Sequence, residues 1–203
     1  MLMDMERCFS YHESKKMTAG FSLIELMIVL SVLGILFAIG IPAFGRLLYD
    51  IEIRGSAESL RAALQTARAE AISRNTMIRL SLVDASGHPM WTMGCVHSSA
   101  LCPQKISAYS DRADTKIRWG ATHSNDSISL DVALGAGNHL PSGVTFNALG
   151  AAPGVATSAD ASRIDVTHAV NTQARRLVLM IAAAGTVRLC DPSLPSKAIL
   201  RCN

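Results

Sequence analysis

At 203 residues the chain's length suggests one domain, or one domain with an appended segment. Its composition, 49% apolar and 17% charged, is that of a folded protein rather than a disordered one. The net charge of +3 excludes a uniformly basic surface: the excess beyond residue 45 lies in the last 41 residues, where Arg163, Arg175, Arg176, Arg188, Lys197 and Arg201 stand against only Asp165 and Asp191.

The first twenty residues are polar and end with Lys15 and Lys16 ahead of an apolar run. From Phe21 to Gly45 the only ionisable side chain is Glu25, and about 20 such residues suffice to cross a bilayer as a helix. The paired lysines predict that the N-terminal side stays cytoplasmic, which places everything after the span on the far side. A conventional signal sequence cut at Gly40, in "AIGIPA", is the competing reading, and the glutamate and the length of the run argue against it.

Beyond Pro42 the pattern remains helical and becomes amphipathic. Ile53, Ala57, Leu60, Leu64, Ala67 and Ala71 recur at intervals of three and four, which predicts one buried face on a helix running from about residue 21 to about residue 74. Arg54, Arg61 and Arg68 form a stripe beside it, with Glu58 and Glu70 as expected helical partners.

After Asn75 the period falls to two. Strands are predicted at 77–83, 128–134, 144–148, 163–167, 176–182 and 186–190, with turns at 84–89, 135–143 and 182–185. The small-residue stretch 150–162 lacks periodicity and is expected to be a mobile loop. A helix followed by antiparallel strands predicts an α+β fold with the sheets over the helix's apolar face.

Cutting the chain near Gly20 would remove Cys8 and leave Cys95, Cys102, Cys190 and Cys202. Pairing of Cys95 with Cys102 and of Cys190 with Cys202 is suggested by proximity, although four cysteines allow three connectivities. The spacings do not fit zinc knuckles, so disulfides in an oxidising compartment such as a bacterial periplasm are the preferred reading.

The stretch "GFSLIELMIVLSVLGILFAIGIPAF" resembles the class III signal and first helix of type IV pilins and type II secretion pseudopilins. "SLRAALQTARAEAISRNTMIRL" and the later "AAAGTVRLC" resemble the FimT/GspH-type minor pilins. That resemblance implies a leader over 1–20, a transmembrane half-helix over 21–45, an amphipathic half-helix over 46–75 and a periplasmic β-rich domain over 76–203. It also implies a pilin-like fold in which the helix packs against an antiparallel β-sandwich. A prepilin peptidase would cut between Gly20 and Phe21 and methylate Phe21, and Glu25 would meet a neighbouring subunit's amino terminus. The partners expected are that peptidase, other pilins or pseudopilins in a filament, and the inner membrane, with a single pass. The implied role is a minor pseudopilin of type II secretion.

A FimT-like minor pilin of the type IV pilus, binding DNA for uptake, is the alternative. Its candidate contacts are Arg175, Arg176, Arg188, Lys197 and Arg201, acting on phosphates. The chain departs from the DNA-binding members at Gly185-Thr186-Val187-Arg188, where Gly-Arg-x-Arg is expected. No enzymatic motif is present, neither G-x-S-x-G nor H-E-x-x-H nor a P-loop, so an enzyme, a cofactor and a metal are not expected. His88, His97, His123, His139 and His168 read as solvated side chains isolated from carboxylate partners, and Trp91 and Trp119 as core residues.

Overall fold

The computed structural model describes residues 21–85, 88–110, 116–124, 126, 128–170 and 174–202. Residues 1–20, the expected leader with Cys8, Lys15, Lys16 and Gly20, lie outside them, as do Ser86 and Gly87 within the turn predicted at 84–89. A single helix, α1, is assigned over Leu23–Ser73, and the chain divides into two compact units at Pro42/Ala43.

In the first unit, Leu23–Ile41 is one helical stretch long and apolar enough to cross a membrane, with a mean hydropathy of 2.6 and none of it buried. Glu25 sits in the first helical turn.

The second unit carries the rest of α1 and two four-stranded antiparallel sheets. The first sheet contains β1 (Ile78–Ala85), β2 (His88–Cys95), β3 (Ser107–Ser110) and β5 (Ser142–Phe146), in the order β3-β2-β1-β5. In the second, β4 (Ile117–Thr122), β6 (Arg163–His168), β7 (Leu177–Ile181) and β8 (Val187–Cys190) run in the order β4-β6-β7-β8. A short helix, α2 (Pro153–Ala156), precedes β6.

Register explains the core. Leu80 pairs with Met93 on one side and Val144 on the other, and Ile164 pairs with Ala121 and Leu179, so each ladder aligns apolar residues on one face. These faces and the six helical positions Ile53, Ala57, Leu60, Leu64, Ala67 and Ala71, all fully buried, belong to one apolar cluster. At about 25 cal/mol per Å² of apolar surface, such burial supplies the main stabilising term. Trp119, in the same cluster, also donates from Nε1 to Ser56 Oγ at 3.2 Å, fixing the helix against β4.

Two predicted features come out differently. Residues 128–134 form no strand despite their alternation, because side chains rather than a neighbouring strand take their backbone groups. Arg163 donates to the carbonyls of Ile128, Ser129 and Val132, Arg176 donates to those of Leu130 and Val132, and the Leu134 amide donates to Asp165. The stretch 150–162 is built into the unit: it contains α2 and buries Ala152, Val155, Asp160 and Ala161. Asp160 accepts from Arg79 at 2.7 Å and from the Thr145 amide at 2.8 Å, tying the segment to β1 and β5. Three strands, β2, β3 and β4, were not anticipated from the sequence at all.

Gly185 ends the β7–β8 turn at φ +80, and a Cβ there would stand 1.8 Å from the carbonyl oxygen of Gly150. Gly185→Ala is therefore expected to lower stability by at least about 1–3 kcal/mol, combining left-handed strain with that clash. A shift of the urea unfolding midpoint measures it, and an unchanged midpoint would show that the hairpin tip yields freely.

Candidate functional site

The charged end of the sandwich is built on β6, β7 and the segment after β8. On β6, Ile164 and Val166 point into the core, so the alternating Arg163 and Asp165 fall on the opposite face. Asp165 is fully buried and holds Arg163 in a fork, Nε to Oδ1 at 2.7 Å and Nη2 to Oδ2 at 2.9 Å. A second guanidinium, Arg176, reaches Asp165 Oδ2 at 2.6 Å and keeps only 13% of its side chain exposed. Gly120 stands opposite Asp165 in the ladder, and its missing side chain lets Leu134 and Gly135 pass directly over the strand.

The neighbouring arginine is tied down as well. Arg175 pairs with Asp191, and its amide donates to Asp50 Oδ1 on α1 at 3.2 Å. Burial pushes the Asp191 carboxyl upward, but the hydroxyl and amide of Ser193 together with Arg175 outweigh it and hold the group below the usual carboxylate range. Disulfides join Cys190 to Cys202, Cα atoms 5.0 Å apart, and Cys95 to Cys102, Cα atoms 5.9 Å apart. The first of these, with the Asp191 amide donating to the Leu200 carbonyl at 2.8 Å, folds the C-terminal segment back onto β8. Arg54, Glu58, Arg61, Arg175, Asp191 and Leu200 line a small groove between that segment and α1.

The five candidate phosphate contacts thus divide. Arg175 and Arg176 are engaged with acids and carbonyls, and Arg201 donates to the Leu194 carbonyl at 3.1 Å. Arg188 and Lys197 remain exposed to solvent. Sequence reasoning overlooked the acids: Asp165 and Asp191, counted only as a charge deficit, organise the arginines around them.

The histidines are less isolated than their loop positions suggest. His168 is buried, its ring 4.6 Å from that of Tyr49 and its Nε2 3.8 Å from Glu52, and burial holds its pKa below the usual imidazole value. His123 and His139 each lie 3.8 Å from Asp126. Of the arginine stripe on α1, Arg54 pairs with Glu58 at 2.8 Å, whereas Glu70 pairs with Arg74.

Residues 15–41 match the family model of the prokaryotic N-terminal methylation motif, and residues 56–185 match that of the type II transport protein GspH. No curated protein matches the chain. Among solved structures, it is similar to the type IV minor pilin FimU of Pseudomonas aeruginosa in crystals of space group P21, at 18% identity over 72% of this chain and 94% of that one, TM-score 0.48. The same protein in space group P65 aligns at 18% identity over 71% and 98%, TM-score 0.45. The match to residues 56–185 spans more than half of the sequence, and on that ground the chain belongs to the family of the type II transport protein GspH.

Proposed function

We propose that this chain is a minor pseudopilin that is cut between Gly20 and Phe21, methylated on Phe21, anchored in the inner membrane by Leu23–Ile41 and drawn into the pseudopilus of a type II secretion system. The observation that carries the reading is the pairing of a GspH-family globular unit with an N-terminal methylation motif on the same chain. A stretch of 19 residues with none of them buried and a carboxylate in its first turn suits a helix that waits in lipid and later packs among copies of similar helices. The globular unit would stand in the periplasm, where disulfides persist. Its role is structural, with no catalytic step of its own.

Intact-mass measurement of the mature protein is expected to give a chain starting at Phe21 and heavier by one methyl group, and a start at Ile41 would overturn the processing. In its native cell, loss of the chain is expected to stop secretion of folded exoproteins while leaving pilus-dependent DNA uptake unchanged, and the reverse outcome would favour the type IV pilus. DNA binding draws little support from the charged end, because two of its five candidate cations are held by Asp165 and Asp191.

A further inference from the structure

The end of β4 gathers three side chains of metal-ligating type. His123 follows the last residue of β4, and Asp126 comes three residues later, its amide donating to the His123 carbonyl at 3.1 Å. His139 arrives from the loop after Leu134, which is laid along β4 by the Gly137 amide on the Trp119 carbonyl at 2.8 Å and by the Ala121 amide on the Asn138 carbonyl at 2.9 Å. Both segments are therefore positioned by the same strand. One ligand atom from each residue lies within 4.8 Å of the other two.

We propose that His123, Asp126 and His139 bind a single divalent transition-metal ion of the zinc class. The separations are the first argument. At 3.8 Å, each imidazole nitrogen is too far from Asp126 Oδ2 for a direct hydrogen bond, so neither ring is committed to the carboxylate. Tetrahedral zinc, with bonds of about 2.0–2.2 Å, sets its ligand atoms about 3.3 Å apart, and closing the site by roughly 0.5–1.5 Å reaches that geometry.

Orientation is the second. The Thr122 hydroxyl and the His123 amide, the latter at 2.8 Å, both donate to Asp126 Oδ2, the outer support that steers a ligating carboxylate. These two donors also hold the Asp126 carboxyl below the usual carboxylate range. Both donors sit on Oδ2, so of the carboxylate's about four lone-pair sites those of Oδ1 are left for a metal.

Donor chemistry and access complete the case. Two imidazoles with one carboxylate favour zinc, nickel or copper over calcium and magnesium, which take oxygen ligands. The His139 side chain is 38% exposed, so an ion can enter from solvent, and three protein ligands leave a further position for water.

The test uses the full-length chain in detergent, stripped with chelator and carrying Cys8→Ser so that the leader thiol cannot compete. Zn2+ is titrated against a chromogenic chelator, and the unfolding temperature is recorded with and without the ion. One zinc per chain and a zinc-dependent rise in unfolding temperature are expected. His139 adopts φ +49, which asparagine tolerates, so His139→Asn should keep the metal-free unfolding temperature while weakening zinc binding about tenfold or more. His123→Gln, whose backbone makes no such demand, should weaken binding similarly. Absence of stoichiometric binding, or unchanged affinity in both variants, would overturn the site.

Discussion

Asp165→Ala is expected to lower the stability of the globular unit by about 3–5 kcal/mol, the range for removing one partner from a buried charge cluster. Asp165 is fully buried and receives both Arg163, itself 3% exposed, and Arg176. Its loss strands two guanidinium groups beneath residues 128–134, together with the Leu134 amide that it also accepts. The attraction within the cluster need not exceed the cost of desolvating it for this to hold, because the penalty comes from the cations left behind. Arg188→Ala, on an exposed position of β8, should change stability by less than about 0.5 kcal/mol. Urea unfolding followed through the fluorescence of buried Trp119 separates the two, and a loss below about 1 kcal/mol for Asp165→Ala would show that the cluster is hydrated and dispensable. The same logic bears on any DNA assay: Arg176→Ala would disturb the fold before it tested a phosphate contact.

What could be read from the sequence follows from how local its causes are. The helix was legible because its buried face needs only a spacing, and Ile53, Ala57, Leu60, Leu64, Ala67 and Ala71 keep that spacing wherever the sheets lie. Strands β6, β7 and β8 were legible for the same reason. By contrast, β4 reads "IRWGAT", and its glycine looks like a break until Leu134 and Gly135 are seen to pass over Gly120. The exposed edge strand β3, "SAYS", offers no apolar period. Residues 128–134 carry the right alternation for a strand, but no local signal tells that arginines 35 and 44 positions away will occupy their carbonyls. Charge counting placed a surplus near the C terminus, whereas pairing depends on which acid each arginine meets, a property of the fold. The His123, Asp126 and His139 grouping joins two loops 13 residues apart through β4 and has no motif to announce it.

The second large effect is expected at Glu25, in assembly instead of stability. A charge at the centre of a membrane helix costs about 2.5–3.5 kcal/mol on insertion scales, and position in the first helical turn lowers that cost because the helix dipole favours an anion there. Glu25→Ala removes a charge from an apolar span, so it should leave insertion intact. Its proposed partner, the methylated amino group of Phe21 on an adjacent subunit, remains cationic after methylation, and at 4 Å with an effective dielectric constant of 20 the attraction is about 4 kcal/mol. Even if desolvation cancels most of this, about 1.4 kcal/mol suffices for a tenfold change in equilibrium. Both Glu25→Ala and the near-isosteric Glu25→Gln are accordingly expected to reduce incorporation into filaments about tenfold or more, while carbonate extraction finds each variant in the membrane fraction at the parent level. Equal loss in the two variants assigns the effect to charge, since Gln keeps the size and hydrogen-bonding reach of the side chain. Were Glu25→Gln to assemble normally, the ionic pairing would be refuted, and a neutral hydrogen bond or simple packing would have to join the helices at this level.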